Sequence, residues 1–170
     1  MAENSLFFAY GSYFNVDQMA YRCPDAQVVG LVTLEGWELL FRRGGFATIA
    51  PREGETVTGL LWSITRKCEQ SLDRYEGYPR FYDKRAVTVR DSEGRSLSVM
   101  AYVMDERFRE AKLPSPGYYN GILEGYRQNG LPVDELKKAW DHVAQEVHDA
   151  TKQINAAAVK AEKRRVSHER

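Results

Sequence analysis

The chain reads as an α+β protein: a small closed or strongly curved mixed β-barrel with flanking helices, followed by one long C-terminal helix. Three observations predict this. Many short β-rich runs, each bounded by glycine, proline or charge, fill the first hundred residues with few helical patterns among them. The texture changes to helical periodicity after Lys112. And 170 residues suffice for one domain with a real core. We expect a globular unit over residues 1–133 and a helical extension over 134–170.

Taken in order, the apolar run Leu6-Phe7-Phe8-Ala9 predicts a strand that breaks into Tyr10-Gly11-Ser12. A glycine turn there can point backbone N–H groups at a ligand, although glycine after a strand is also plain turn chemistry. Residues 27–34 and 37–41 form two apolar runs separated by Glu35-Gly36, and 47–50 and 57–64 follow as two more. Residues 66–75 predict a short helix. Residues 84–90 and 97–104 alternate across Ser92-Glu93-Gly94, a hairpin signal. Ser115-Pro116 suits a helix start, and Asn129-Gly130-Leu131-Pro132 a helix stop.

A last helix begins near Asp134 and runs to about Arg165. Its apolar residues Leu136, Trp140, Val143, Val147, Ala150, Ile154, Ala157 and Ala161 alternate steps of four and three, a narrow coiled-coil-like seam. The seam either folds back on the barrel or pairs with a second copy as a homodimer. Residues 152–170 carry six Lys/Arg against two Glu. A solvated helix end with cations favouring its dipole is the commoner meaning of such a tip, and contact with an acidic partner the rarer one.

Composition excludes several classes. Lysine plus arginine and aspartate plus glutamate are equal at 24 each, so net charge argues for neither nucleic acid nor membrane. The N-terminus carries Glu3 and too short an apolar stretch for a secretion signal, and no segment can span a bilayer. Cys23 and Cys68 show no CxxC and no metal spacing, as in a reduced cytosolic protein. The expected setting is cytoplasmic.

The chemistry is narrowed by what is missing. His142, His148 and His168 all sit in the last helix, and His142 and His148, six apart, do not share a ligand face. No GxxxxGK[ST] or GxGxxG stretch occurs. A carboxylate must therefore carry any proton transfer. Glu76 is the candidate, bracketed by Tyr75 and Gly77-Tyr78 with Phe81 and Tyr82 beyond, since an aromatic, partly dry pocket raises a carboxyl pKa toward neutrality. The bland alternative is a surface glutamate at a helix end. Asp73 and Arg74 read as solvated. Tyr118 and Tyr119 either offer a phenol to a substrate or simply pack.

Four ordered segments together resemble the γ-glutamylcyclotransferase-like family: Phe8-Ala9-Tyr10-Gly11-Ser12; Gly59-Leu60-Leu61-Trp62; Leu72-Asp73-Arg74-Tyr75-Glu76-Gly77; and Ser115-Pro116-Gly117-Tyr118 with Asn129-Gly130-Leu131-Pro132. The resemblance covers residues 5–135. It implies a small barrel with a cavity at one end, and cyclisation of a γ-glutamyl group to 5-oxoproline with release of the attached amine or amino acid. It further implies Glu76 as catalytic acid/base, Tyr10, Gly11 and Ser12 as the grip on the glutamyl α-carboxylate, Tyr118 as a substrate contact, and no cofactor or metal.

One position departs from the family's Tyr-Gly-Ser-Asn loop. Tyr13 stands where asparagine is usual, with Phe14 and Asn15 following, and Tyr13 thereby becomes a candidate substrate contact. The same departure favours a second reading, a non-catalytic small-molecule binding or regulatory domain that keeps the cavity. The variable end of the substrate would meet loops at residues 42–45 and 106–112.

Overall fold

The computed structural model describes residues 4–168. Glu3, and the Glu169 and Arg170 counted in the basic tip, lie outside the described residues. Five strands, β1 (Ser5–Ala9), β2 (Gln27–Arg42), β3 (Phe46–Ile64), β4 (Tyr82–Arg90) and β5 (Ser96–Met104), close into a barrel in the order β1-β3-β2-β4-β5. Neighbours are antiparallel except β1 and β5, which meet in parallel at Phe7 and Met100. Four helices flank it: α1 (Val16–Arg22), α2 (Arg66–Glu76), α3 (Pro116–Gln128) and α4 (Asp134–His168). Among the described residues, no helix is long and apolar enough to cross a membrane.

The four runs expected over residues 27–64 are two long strands. β2 pairs with β3 from Gln27–Ser63 to Arg42–Phe46, with register shifts at Val28/Gly30 and Glu35/Trp37. Glycine explains the difference. Gly36 sits at φ 82° and Gly54 at φ 85°, so a residue without Cβ carries the chain through a bend that would otherwise end the strand. Such bends supply the curvature a small barrel needs to close.

Phe8, Leu34, Phe41, Ile49, Leu60, Leu61 and Ile64 belong to one core shared by the barrel and its flanking helices, all nearly inaccessible. Gly59 sets one dimension of that packing: a Cβ there would lie 2.1 Å from the Phe8 ring and 2.7 Å from the Ala9 carbonyl oxygen. β1 therefore lies against β3 only because residue 59 has no side chain.

The helix ends follow their local chemistry. Thr65 accepts the Cys68 N–H to start α2, and Gly77, left-handed at φ 66°, ends it. Ser115 accepts the Tyr118 N–H at 3.3 Å to start α3. At the start of α4, Glu135 accepts the Thr58 N–H at 2.7 Å and its hydroxyl at 2.9 Å. Leu136, Ala139 and Val143 are buried, and α4 packs here on β2, so the first half of the seam does fold back.

The reading of Cys23 and Cys68 as reduced thiols is corrected. They form a disulfide, 45 residues apart in sequence, that ties the end of α1 to the first turn of α2. Spacing along the chain carries no information on this, because the proximity comes from the packing of two helices.

The Gly59 contact yields a direct test. Gly59→Ala should lower the unfolding free energy by about 1–3 kcal/mol, the scale of an overpacked core, read as a fall in Tm. An unchanged Tm would mean β1 and β3 are not held at this distance.

Candidate active site

One end of the barrel opens into a cavity of about 240 Å³ lined by β1, the turn after it, β3, β5 and the C-terminal end of α2. All six residues singled out from the sequence, Tyr10, Gly11, Ser12, Tyr13, Glu76 and Tyr118, line it. The fold brings them together from three stretches of chain.

The turn is built from the backbone up. Residues 12–14 form a 3₁₀ turn in which Phe14 and Asn15 donate back to the Gly11 and Ser12 carbonyls. Among the described residues the N–H groups of Gly11, Ser12 and Tyr13 take no part in the turn's own bonds, and all three residues line the cavity. Three long-range contacts fix the turn in place. Trp62 Nε1 donates to the Tyr13 carbonyl at 2.9 Å, Asn129 Nδ2 donates to the Phe14 carbonyl at 3.2 Å, and Gly125 lets α3 lie against it. A Cβ on Gly125 would stand 2.7 Å from backbone atoms of Phe14 and Asn15.

Asn15 does not replace the amide missing at position 13. Its carbonyl oxygen accepts the Asp17 and Gln18 N–H groups to cap α1, and its Nδ2 donates to the Gly121 carbonyl. The Tyr13 ring instead packs edge-on against Phe7 and Tyr75. Its hydroxyl is buried and has no hydrogen-bond partner among the described residues, an unmet donor at the cavity wall.

Glu76 is the last helical residue of α2 and only partly exposed. Burial raises its pKa to about 7 against the opposing charge of Arg22. The carbonyl end of the helix beside it also disfavours a negative charge. Arg22 is held by its guanidinium, 3.6 Å from the centroid of the Tyr75 ring.

α2 itself is strapped to the barrel, which fixes where its last residue stands. Tyr102 O–H donates to Asp73 at 2.6 Å, and Lys84 Nζ reaches Asp73 at 2.9 Å and Glu69 at 3.2 Å. Asp73, read from the sequence as solvated, is thus the anchor of the helix.

Phenols line the opposite wall. Tyr118 Oη accepts the Ala47 N–H at 3.0 Å and bonds the Ser12 hydroxyl. Burial is the main cause that pushes its pKa up to about 12, so it keeps its proton for a ligand. Tyr82 donates to the Ala47 carbonyl at 2.6 Å and Tyr10 to the Tyr102 carbonyl. The Tyr10 phenol is held neutral by burial and by the Glu76 charge.

One further expectation needs correction. Tyr78 is not part of the aromatic bracket: it is 39% exposed, and the Lys84 ammonium stands 4.4 Å from its ring centroid. Phe81 and Tyr82 do line the cavity. Sequence reasoning missed Arg22, Phe46 and Tyr102. Tyr102 reads as one position of an alternating strand, and only barrel closure brings it beside the cavity. The loops over residues 42–45 and 106–112 meet each other beside the cavity, where Arg43 stacks on Phe108 at 4.8 Å and lies 3.5 Å from Glu110. Among the described residues no cluster could hold a metal ion.

A family model described as gamma-glutamyl cyclotransferase, AIG2-like, matches residues 7–121. A protein named gamma-glutamylcyclotransferase from Bos taurus is 33% identical over 147 residues, covering 80% of this chain and 77% of that protein. One of the same name from Homo sapiens is 31% identical over the same shares. A solved structure titled gamma-glutamyl cyclotransferase superposes with a TM-score of 0.74 at 30% identity, covering 81% of this chain and 86% of that one.

The raised Glu76 pKa links stability to pH. The folded state holds this proton up to about pH 7, whereas an unfolded glutamate releases it near pH 4.3. The folded state thus binds more protons between these values, and stability falls as pH rises through that window. Glu76→Gln removes this cost, so it should be more stable than the native chain at pH 8 by on the order of 1–3 kcal/mol, and nearly equal to it at pH 4. Denaturant melts of both proteins at the two pH values check this.

Proposed function

From the gamma-glutamyl cyclotransferase, AIG2-like family, to which this chain belongs, we infer that it is a γ-glutamyl cyclotransferase. The observation that carries the reading is a carboxylate of pKa about 7 in a cavity whose other wall is a turn of unengaged N–H groups. The substrate class is a γ-glutamyl amino acid or amine, and the products are 5-oxoproline and the free amine.

The reaction needs little from the protein. The substrate's α-amine and γ-carbonyl share a molecule, so holding the glutamyl chain bent toward attack removes much of the entropic part of the barrier. The N–H groups of Gly11, Ser12 and Tyr13 receive the α-carboxylate. Glu76 takes a proton from the α-ammonium, and the freed nitrogen attacks the γ-carbonyl carbon to close a five-membered ring. The bond from that carbon to the leaving nitrogen then breaks as Glu76 returns the proton to it, and the ring nitrogen gives up its second proton to the freed Glu76 carboxylate, from which it passes to solvent, leaving the neutral lactam and the free amine. A pKa near 7 lets one carboxyl both accept and donate at neutral pH. Tyr118, with its proton unspent, donates to a substrate oxygen, as does the unpartnered Tyr13 hydroxyl. Fixed donors of this kind stabilise developing negative charge without reorganising.

On this reading residues 1–133 form the catalytic unit and 134–170 an extension, with self-association through α4 independent of the cavity. No nucleic-acid partner is assigned. The Cys23–Cys68 bond argues for an oxidising compartment and against the cytoplasmic setting expected from the sequence.

Assay of 5-oxoproline release from γ-glutamyl amino acids, γ-glutamyl amines and glutathione tests the activity. Release from at least one member should fall by about a thousandfold or more in Glu76→Gln, the scale of a lost acid/base. Tyr118→Phe should lower kcat/KM by about tenfold to a hundredfold, the value of one hydrogen bond to a group that carries charge in the transition state. No release from any member by folded protein would replace the enzyme reading with that of a binding domain.

A further inference from the structure

We propose that the Cys23–Cys68 bond is an exchange site for a small anionic thiol peptide, and that opening it releases Arg22 from Tyr75 at the edge of the active-site cavity. Both cysteines are buried, 3% and 5% exposed, yet they line a surface groove of about 220 Å³ where the end of α1 meets α2. Arg22, Lys67 and Arg74 line the same groove against one carboxylate, Asp25. A concave site of that charge concentrates anions, and its cations favour the thiolate form in which sulfurs exchange.

The two sulfurs are not equivalent. Cys68 stands in the first turn of α2, where its N–H donates to the Thr65 hydroxyl that caps the helix. A helix N-terminus stabilises a thiolate, so Cys68 is the sulfur that leaves. Cys23 follows the last residue of α1 and is the sulfur attacked. The peptide thiolate bonds to Cys23 Sγ, the Cys23–Cys68 bond breaks, and Cys68 Sγ departs with the electron pair and takes a proton from water. A second peptide thiolate then attacks the peptide sulfur of this mixed disulfide. The oxidised peptide leaves as its own disulfide, and Cys23 Sγ takes a proton in turn. Two peptide thiols thus supply the two electrons that reduce the bond.

The consequence for the site lies in what the bond holds. Arg22 immediately precedes Cys23, and its guanidinium lies 3.6 Å from the centroid of the Tyr75 ring. Tyr75 lines the cavity beside Glu76. The Ser71 hydroxyl also reaches the Arg22 carbonyl, but at 3.5 Å, a long bond that carries little. Bonded sulfurs lie about 2 Å apart, whereas unbonded heavy atoms need about 3.5–4 Å. In a close-packed junction the two helix ends must part by about that difference, and Arg22 moves with Cys23. Glu76 then loses the cation that offsets its burial. The groups that face it from the other elements, Tyr10, Tyr13, Tyr82, Tyr102 and Tyr118, are phenols held protonated mainly by burial, so none takes the place of Arg22. Opening the bond therefore raises the pH at which Glu76 ionises.

Glutathione is the probe for exchange, read by intact mass and peptide mapping. An adduct should appear on Cys23 with Cys68 free. Cysteamine, a cationic thiol, should react about tenfold more slowly, and Lys67→Glu combined with Arg74→Glu should slow glutathione about tenfold without slowing cysteamine. The coupling is read by ¹³C titration of the Glu76 carboxyl. In the folded chain reduced by a phosphine it should ionise at higher pH than in the disulfide form, and Cys23→Ser combined with Cys68→Ser should match the reduced chain. Arg22→Ala should show the higher value in both redox states. None of these readouts needs turnover, so their failure is distinct from failure of the cyclotransferase reading, on which only a matching shift of the kcat/KM limb rests. No adduct, an adduct confined to Cys68, equal rates for the two thiols, a Glu76 titration indifferent to the bond, or one that still moves with redox state in Arg22→Ala would each overturn the proposal.

Discussion

A carboxylate set at the carbonyl end of a helix and walled by aromatic rings is the constraint on which the rest of this structure depends. Glu76 is costly to ionise there because burial strips its hydration, and Arg22 offsets only part of that cost. Keeping it in place requires a helix that cannot drift. The straps that hold α2 come from outside the helix: Tyr102 and Lys84 on Asp73, and the Cys23–Cys68 disulfide at the other end. Stability given up at one residue is recovered in the scaffold around it, as is common where function sets the local chemistry.

The turn opposite Glu76 is held by the same strategy with different means. Its backbone donors can face the cavity only if other groups satisfy and brace its carbonyls. Trp62 and Asn129 do so from β3 and the end of α3, and Gly125 permits α3 to approach closely enough. Barrel closure supplies the geometry: the parallel contact of β1 with β5 puts Tyr102 beside a turn that lies ninety residues earlier. Site and fold are therefore not separable here. The barrel is the device that brings one turn, one helix end and one phenol to a common cavity.

How much of this was legible in the sequence depends on the range of the interaction. Local signals read well: the Ser115-Pro116 helix start, the short helix over residues 66–75 and the Ser92-Glu93-Gly94 hairpin all report contacts within a few residues. Gly59-Leu60-Leu61-Trp62 could be recognised as a strand, but not why it needs a glycine and a tryptophan, since Phe8 and the Tyr13 carbonyl lie some fifty residues away. Gly36 and Gly54 misled by looking like strand ends when they are bends within long strands. The Cys23–Cys68 pairing, the anchoring role of Asp73 and the presence of Arg22 were illegible for one reason, that each arises from helix packing with no trace in spacing. Tyr13 was legible as a departure, and its unsatisfied hydroxyl could be seen only once its ring was placed.

The central claim is that one partly buried carboxyl, poised near neutrality, carries the proton. Its most direct test is ¹³C NMR titration of the Glu76 side-chain carboxyl, assigned by its loss in Glu76→Gln, set beside the pH dependence of kcat/KM. The account predicts a carboxyl that titrates at about pH 7 and a rate limb that rises through the same value. A Glu76 carboxyl that titrates near 4.3, as in a model peptide, or a rate limb that ignores its titration, would contradict it.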